Sequence, residues 1–372
     1  MKQRIAVISI NASWNIVNFR RGLIAGLQSH GFRVVALAPP DAYSARFAEL
    51  GVDYVPIAMD KKGVSPARDL LLLARYYRIL RRLKPDVLLA YTAKPNVYGS
   101  LAAQALGIPV INNVSGLGTA FIRQGLLTRI VSGLYRLAFR RSSTIFFQNE
   151  EDRDLFVAQK LVRPGKARLL PGSGIDVSRF TPVQSRAPGP FTFLLIARLL
   201  WDKGVGEYVE AARIVRRTMP DTRFQLLGFL DVENRTAVPR QAVDSWVAEG
   251  LVDYLGVSDD VRQQIAAADC VVLPSYREGL PRTLLEAAAM ARPLIATDAP
   301  GCRQVVRHGV NGHLCALRDA ASLAEAMLAM LRAPEAERRR MGAAAREMAE
   351  SEYDEKIVVN RYIEAIGEAL AR

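Results

Sequence analysis

Short apolar runs bounded by turn residues alternate with longer stretches of helical periodicity along the first half of the chain. The runs predict strands at residues 4–10, 33–39, 86–92, 108–114 and 144–149. Between them, apolar side chains spaced three and four residues apart predict helices at residues 18–30, 44–51 and 66–83. Strands that alternate with helices indicate a parallel sheet with helices on both faces, the doubly wound arrangement.

The same alternation restarts in the second half. It predicts strands at residues 191–198, 222–229, 252–257, 269–275 and 293–299. Residues 171–190 are rich in Pro, Gly and Ser and are typical of a linker. We therefore expect an N-terminal α/β domain over 1–170, a second over 191–354, and a C-terminal helix over 355–372 that packs back on the first. Since ligands bind at the carboxyl ends of parallel strands, the two domains are expected to face a central cleft.

Composition fits two globular domains and separates them by charge. The chain has 372 residues, half of them apolar, and a formal net charge of +13. Residues 1–190 carry +16, whereas the remainder carries −3. A strongly basic half indicates an anionic partner, and nucleic acid, an anionic membrane surface and phosphorylated substrates are the alternatives.

Neither a metal site nor a membrane-spanning segment is predicted. The three cysteines and three histidines form no CxxC or HExxH pattern, and so few cysteines fit a reducing, cytoplasmic compartment. The N-terminal apolar run is short and fits a first strand better than a signal peptide. The longest uncharged stretch, residues 99–122, is interrupted by Pro109 and glycines, and a spanning helix needs about 20 apolar residues. We expect a soluble or surface-bound protein.

A cationic pair follows the first strand of the second half, in ARLLWDKG (197–204). Arg198 and Lys203 stand at a strand end, just ahead of a glycine and a predicted helix. Arginine offers bidentate donors, lysine a mobile point charge and the helix start free N–H groups, and together these suit a diphosphate. The alternative is a solvated loop with two ordinary surface cations.

Two carboxylates frame a Gly-Leu-Pro turn in SYREGLPRTLLEAAA (275–289). Gly279 allows close approach of a ligand and Pro281 suits the first turn of a helix. The amides of Gly279 and Leu280 can then point at a phosphate. Glu286 can accept hydrogen bonds from a ribose diol, and Glu278 can meet a sugar hydroxyl. Alternatively, Glu278 only interacts with the helix dipole and Glu286 faces solvent.

Taken together, these motifs resemble the retaining glycosyltransferases of family 4, whose GT-B fold has two Rossmann-like domains facing a central cleft. Their E-G-x-P-x-x-x-x-E signature is matched by Glu278, Gly279, Pro281 and Glu286. ARLLWDKG resembles their Arg…Lys-Gly phosphate clamp, and LPGSGIDVSRFTP resembles their interdomain linker. DAPGCRQVVRHGVNGHLC (298–315) resembles the segment that follows the signature. The resemblance spans essentially the whole chain.

The resemblance implies a role for each charged residue of these motifs. Arg198 and Lys203 would hold the donor diphosphate and stabilise its departure. Glu286 would hold the ribose, and Glu278 would contact the donor sugar. No nucleophilic side chain is implied, and a front-face, diphosphate-assisted substitution with retention is the expected mechanism.

The resemblance also implies how the rest of the donor is held. Gly256 and Val257 would flank the base, and the amides of Gly279 and Leu280 would lie near the donor sugar. No metal or other cofactor is expected, because Arg, Lys and helix N-termini neutralise the leaving diphosphate. A UDP-sugar is the preferred donor, with GDP as the alternative.

The first half matches the family less uniformly. Asn18 and Arg20 open the first helix after an early loop without the glycine pair of many members. TAKPNVYG (92–99) and NNVSGLGTAF (112–121) resemble a subgroup that extends lipid-linked oligosaccharides. Lys94 and Arg20 are therefore candidates for binding an acceptor diphosphate.

Residue 115 departs from the family pattern. Many relatives carry a His where this chain has Ser115, so a His acid/base role does not carry over. Ser115, Gly116 and Gly118 are candidates for shaping the donor and acceptor pocket. The alternative is a plain strand-to-helix turn.

Two basic amphipathic helices are predicted in the first half. Three arginines share a face of each: Arg75, Arg78 and Arg82 in residues 66–83, and Arg129, Arg136 and Arg140 in residues 120–141. Apolar side chains take another face of each: Leu73, Tyr76, Tyr77 and Leu80, and Leu127, Ile130, Val131, Leu134 and Leu137. Such helices can lie on an anionic bilayer, although ordinary packing with solvated arginines is the alternative. Nucleic acid is disfavoured because no recognition module is found.

The expected function is transfer of a sugar, with an N-acetylhexosamine as one candidate, from a UDP-sugar to a hydroxyl of a polyprenyl-diphosphate-linked saccharide, forming an α-linkage. The enzyme would work at the inner face of the cell membrane as a peripheral protein. The alternatives are a GT-B-like epimerase and a non-catalytic nucleotide-sugar or membrane-binding scaffold. A nicotinamide dehydrogenase is disfavoured because no GxGxxG follows the first strand.

Overall fold

The computed structural model describes residues 3–60, 65–116, 126–183, 189–232 and 234–371. Contacts between residues divide the chain into two compact units, Met1–Ser173 with Glu355–Arg372, and Gly174–Asp354. Within the described ranges, no helix has the length and apolar character that crossing a membrane requires.

The first unit is built on a parallel sheet. Its strands are β1 (Arg4–Ser9), β2 (Phe32–Ala38), β3 (Asp53–Pro56), β4 (Val87–Tyr91), β5 (Val110–Val114), β6 (Thr144–Phe147) and β7 (Ala167–Leu169). They lie in the order β3-β2-β1-β4-β5-β6-β7. Its helices are α1 (Ser13–Phe19), α2 (Arg21–Ser29), α3 (Pro66–Leu83), α4 (Ser100–Ala105), α5 (Leu126–Phe139), α6 (Glu150–Ala158) and, from the end of the chain, α13 (Glu355–Leu370).

The second unit is built on a parallel sheet of the same kind. Its strands are β8 (Thr192–Ile196), β9 (Arg223–Leu227), β10 (Asp253–Tyr254), β11 (Cys270–Leu273), β12 (Leu294–Thr297) and β13 (Gly312–Cys315). They lie in the order β10-β9-β8-β11-β12-β13. Its helices are α7 (Val205–Arg216), α8 (Arg240–Ala248), α9 (Arg262–Ala267), α10 (Arg282–Ala289), α11 (Ala320–Arg332) and α12 (Glu335–Glu352).

Each sheet is covered on both faces, as the near-continuous apolar strands require. In β8, Phe193 and Leu195 point into one core while Leu194 and Ile196 point into the other. The strands of the first unit alternate between two cores in the same way. The predicted fold class, two doubly wound parallel-sheet domains, is confirmed.

The predicted helix at 18–30 is two helices in the structure. Arg20 interrupts them with backbone angles of φ −128° and ψ 13°, outside the helical region. Residues Ser44–Leu50 form a 3₁₀ helix, whereas α3 has the predicted bounds. Pro66 begins α3, and Lys84 ends it in the left-handed conformation.

The C-terminal helix α13 packs on α2 within the first unit. Val358, Tyr362 and Ile366 are buried in the core that α2 also lines. Two glycines one helical turn apart allow this contact, because a Cβ on Gly26 would lie 2.3 Å from Val359 Cγ1 and one on Gly22 2.3 Å from Glu355 Cδ. The close approach of the two helices therefore depends most on Gly26, because the Glu355 carboxylate beside Gly22 is the far end of a flexible side chain and can move.

Residues that follow Ser173 contribute to the second unit. Ile175 and Phe180 are buried in its core, and the Ile175 N–H donates to Tyr353 O at 2.8 Å. Part of the stretch expected as a linker is thus packed, while residues 184–188 lie outside the described ranges.

Candidate active site

The loop that carries Arg198 and Lys203 joins β8 to α7. Arg198 is exposed just beyond the strand, and residues 201–203 make one 3₁₀ turn. Gly204 then has φ 74°, and a Cβ there would lie 2.1 Å from Pro274 O. Only glycine fits this position, because the backbone is left-handed and the carbonyl of Pro274, just after β11, would clash with any Cβ.

Hydrogen bonds attach this loop to the segment that follows β11, the neighbouring strand. Asp202 O accepts from the Tyr276 amide at 2.9 Å and from Ser275 Oγ at 3.2 Å. The Asp202 carboxylate accepts from Thr236 Oγ1 at 3.0 Å. The two sequence motifs therefore meet at the carboxyl edge of the sheet.

Lys203 and Glu278 are in direct contact there. Lys203 Nζ donates to Glu278 Oε1, and the two side chains are 19% and 15% exposed. The Glu278 backbone is fixed by its amide, which donates to Pro300 O at 3.0 Å, and by Gly301, whose absent Cβ leaves room for Glu278 O. Two residues that sequence motifs single out separately thus form one charged pair.

Glu286 lies on the first turns of α10, which begins at Arg282 with Pro281 as its N-cap residue. Glu286 is 8% exposed, so the alternative of a solvent-facing helix residue is wrong. Arg282 Nε donates to its Oε1 at 2.9 Å. Burial raises the pKa of the Glu286 carboxyl, and Arg282 opposes that rise.

The Gly-Leu-Pro turn comes immediately before α10. Gly279 is buried, and Leu280 is half-buried and packs against the core. The amides of these residues precede the first turn of the helix, where backbone N–H groups have no partner within the helix. That these amides meet a phosphate, as the sequence suggests, stays a prediction.

The ends of β9 and β10 place Gly256 and Val257 beside an apolar surface. The Gly228 amide donates to Gly256 O at 2.8 Å, and Gly256 has φ 74°. Val257 is 49% exposed, and Phe229 and Leu255 are 38% and 39% exposed. Phe229 and Leu255 were not singled out from the sequence. The aromatic that follows a glycine at a strand end was the available signal.

Two of the first-unit candidates are engaged within the protein. Lys94 Nζ lies 2.8 Å from Asp69 Oδ1, and the two side chains are 17% and 8% exposed. Asn18 Nδ2 donates to Trp14 O at 2.9 Å within α1. Lys94 is thus half of a partly buried ion pair.

Arg20 is buried rather than placed on an open loop. It is 7% exposed, and its guanidinium lies 4.5 Å from the centroid of the Tyr91 ring. It lines a small pocket together with Tyr91, Asn113 and Tyr362. Asn113 Nδ2 donates to Tyr362 OH at 3.0 Å, so the pocket has a polar wall.

Ser115 and Gly116 follow β5. Ser115 is half-buried, whereas Gly116 is exposed with φ 136°. Within the described ranges, no hydrogen bond or ion pair joins Ser115 or Gly116 to Arg20 or Lys94. Gly118 lies outside the described ranges. In the part of the chain that is described, no group of three His, Cys, Asp or Glu side chains is placed to hold a metal ion.

Comparison with known families agrees with this geometry. Residues 190–333 match the model for glycosyl transferases group 1, and residues 16–173 match the model for the glycosyl transferase 4-like domain. Together the matches span most of the chain. The chain belongs to the family 4 glycosyltransferases. The Lys203–Glu278 pair and the buried Glu286 therefore lie within the domain that matches the group 1 model of a sugar-transferring enzyme.

Two relatives of this glycosyltransferase carry names that specify diphospho-undecaprenol acceptors. It is 28% identical to the N,N′-diacetylbacillosaminyl-diphospho-undecaprenol alpha-1,3-N-acetylgalactosaminyltransferase of Campylobacter jejuni, over 97% of each chain. It is 25% identical to the UDP-Gal:alpha-D-GlcNAc-diphosphoundecaprenol alpha-1,3-galactosyltransferase of Escherichia coli, over 72% of each. The Anabaena protein HepE, solved with UDP and glucose, has the same fold at a TM-score of 0.81 and 18% identity, over 98% of this chain and 100% of its own.

Proposed function

We propose that this glycosyltransferase transfers a sugar from a UDP-sugar to a hydroxyl of a polyprenyl-diphosphate-linked saccharide, with retention, so that an α-linkage forms. We favour an N-acetylhexosamine as the sugar. The observation that carries the proposal is the contact between Lys203 and Glu278 at the carboxyl edge of the second sheet. The Campylobacter and Escherichia relatives, whose names specify diphospho-undecaprenol acceptors, support the acceptor class.

Departure of the diphosphate is the step that the charged residues serve. Lys203 Nζ and the exposed Arg198 guanidinium would bind its oxygens, and the amides of Gly279 and Leu280 would add fixed dipoles where negative charge develops. Transfer would need no metal, because these groups supply the positive charge. Activity that persists in excess chelator supports this, and activity restored only by Mg²⁺ or Mn²⁺ contradicts it.

Donor binding would separate the Lys203–Glu278 pair. The diphosphate takes the ammonium group, since a charge-assisted bond to phosphate replaces the bond to the carboxylate. Glu278 is then released toward a hydroxyl of the donor sugar. Each partner of the ligand-free pair thereby keeps the other in the site until the donor arrives.

The nucleoside would bind between two features of the second unit. The exposed apolar side chains of Phe229, Leu255 and Val257 suit the flat face of a base. Glu286 would accept hydrogen bonds from the ribose hydroxyls. The name of the Escherichia relative, which includes UDP-Gal, supports uridine over guanosine.

Exposed apolar side chains among arginines support binding to the inner membrane surface. On α5, Ile130 is 48% and Leu137 54% exposed, next to the exposed Arg129, Arg136 and Arg140. On α3, Leu70 and Leu71 are 67% and 44% exposed, and Tyr77, expected on the apolar face with Tyr76, is exposed as well. Side chains of this kind can enter the headgroup region while arginines contact anionic lipid.

Vesicle flotation tests the membrane surface. We expect binding to phosphatidylglycerol vesicles that weakens with salt and is lost when Arg129, Arg136 and Arg140 are replaced together by Glu. In a charge-matched control, Arg213, Arg307 and Arg339 of the second unit are replaced together by Glu. This variant should bind as the wild type does. Equal loss in both triple variants would show that only net charge matters.

Substitution of Lys203 tests the catalytic assignment. We expect Lys203→Ala and Glu286→Ala each to lower transfer greatly while the protein stays folded, because each removes a contact to the donor. Wild-type turnover in both variants would exclude the donor site. An epimerase would convert the nucleotide-sugar without acceptor, and a scaffold would bind UDP without turnover, so the same assay separates the alternatives.

A further inference from the structure

Arg282 links Glu286 to the first residue of the second unit. Its Nε donates to Glu286 Oε1 at 2.9 Å, and its Nη1 donates to Gly174 O at 3.2 Å. The arginine and glutamate side chains are only 18% and 10% exposed. The guanidinium is therefore held at both ends, and it fixes one oxygen of the carboxylate on a helix of the donor-binding sheet edge.

The buried position of Glu286 makes its charge costly. A carboxylate that leaves water is disfavoured unless a cation or hydrogen-bond donors compensate it. The ionised form accepts hydrogen bonds on both oxygens, whereas the protonated form has lost part of that capacity and donates instead. Two hydroxyls that both donate to the carboxyl therefore favour the ionised form.

The other ionisable groups that act on Glu286 cannot replace Arg282. Arg179 favours the charged form and Asp260 disfavours it, so their effects on the Glu286 pKa oppose each other. Arg179 itself lies 3.8 Å from Asp260, and Arg262 also pairs with Asp260. Within the described residues, Arg282 is the ion-pair partner of the Glu286 carboxylate.

We propose that Arg282 is a positioning residue, which keeps the Glu286 carboxylate ionised and oriented to accept hydrogen bonds from the donor's ribose. This inference rests on the proposed function, since it takes Glu286 as the ribose acceptor. Arg282 acts through Glu286 and does not itself contact the donor.

The sign of the effect follows from the direction of the pKa shift. Burial already raises the pKa of Glu286, and removal of the Arg282 cation raises it further. In Arg282→Gln the carboxyl is then protonated at a higher pH than in the wild type, and ribose recognition is lost as the pH falls through that range. At higher pH the carboxylate forms again and recognition returns. A residue that only supports the fold would weaken binding at every pH alike.

Calorimetric titration with UDP and with 2′,3′-dideoxy-UDP separates the ribose contribution. Both ligands carry the same diphosphate, so the ratio of their Kd values cancels phosphate protonation. For the wild type we expect UDP to bind about tenfold tighter between about pH 6 and pH 9. Arg282→Gln should lose this preference at the lower pH and regain it at the higher, and Arg282→Lys should retain much of it throughout.

Two further variants assign a failure to its cause. Glu286→Gln should lose the preference at every pH, and if it keeps the wild-type ratio, the ribose assignment in the proposed function is wrong. A second outcome refutes only the role of Arg282 and leaves the ribose assignment standing. In that outcome Glu286→Gln loses the preference, while Arg282→Gln either keeps it at every pH or loses it equally at every pH. Arg213→Gln, which removes an exposed ion pair of α7, serves as the matched control and should bind as the wild type does.

Discussion

The packing of α13 on α2 can be tested by adding one methyl group at Gly26. In an open helix position, Gly→Ala stabilises by about 1 kcal/mol because alanine has the higher helix propensity. At Gly26 the new Cβ would lie 2.3 Å from Val359 Cγ1, far inside contact distance. Val359 is β-branched and has one preferred rotamer in a helix, so it cannot rotate away easily. Overpacking of this kind costs about 1–3 kcal/mol.

Gly133 on α5 provides the matched control. A Cβ there meets no atom within 4 Å, so Gly133→Ala should show the propensity gain alone. The two variants should therefore differ by the overpacking cost, about 1–3 kcal/mol. For a unit of this size each kcal/mol moves the Tm by about 2–4 °C.

Thermal unfolding followed by circular dichroism measures the difference. We expect Gly133→Ala to raise the Tm and Gly26→Ala to fall clearly below it. Adding Val359→Ala to Gly26→Ala should recover part of the loss, since the clashing methyl is removed. If Gly26→Ala raises the Tm as much as Gly133→Ala does, α13 does not pack on α2 as described.

Two other substitutions probe the sites directly. Gly204→Ala should weaken UDP binding, measured by calorimetry, more than tenfold with little change in far-UV circular dichroism. The reason is that its Cβ would lie 2.1 Å from Pro274 O on a left-handed backbone. Wild-type affinity would contradict the loop geometry. Asp69→Asn should lower the free energy of unfolding by about 1–3 kcal/mol, since the partly buried Lys94 loses its charged partner. The control Asp60→Asn breaks an exposed pair with Arg68 and should change thermal stability little; equal shifts would show that the Lys94 pair is not special.

The regular parts of the fold were predictable because burial on both faces leaves a strong apolar signal. The central strands were found for that reason, and α3 was found from apolar side chains three and four residues apart. Strands β3, β7 and β13 were missed, since they are short edge strands with half-exposed side chains. The break at Arg20 was missed because apolar spacing continues through it and gives no sign of the non-helical backbone.

The candidate site was predictable in its residues but not in its contacts. Local motifs singled out Lys203, Glu278 and Glu286. The pairing of Lys203 with Glu278 joins residues 75 apart in sequence and depends on β8 and β11 being neighbours. The link from Arg282 to Gly174 is equally non-local. In the first unit, tertiary packing buries Arg20 and pairs the partly buried Lys94 with Asp69, which spacing alone does not reveal.

The stereochemistry of transfer is the most direct measure of the proposed reaction. Purified enzyme is incubated with a panel of UDP-sugars and a polyprenyl-diphosphate-linked saccharide, and the product is analysed by mass spectrometry and proton NMR. We expect one added sugar in α-linkage, with UDP released in equal amount, and no product from folded Lys203→Ala. A β-linked product, or wild-type product from Lys203→Ala, would contradict retaining transfer at the site formed by Lys203 and Glu278.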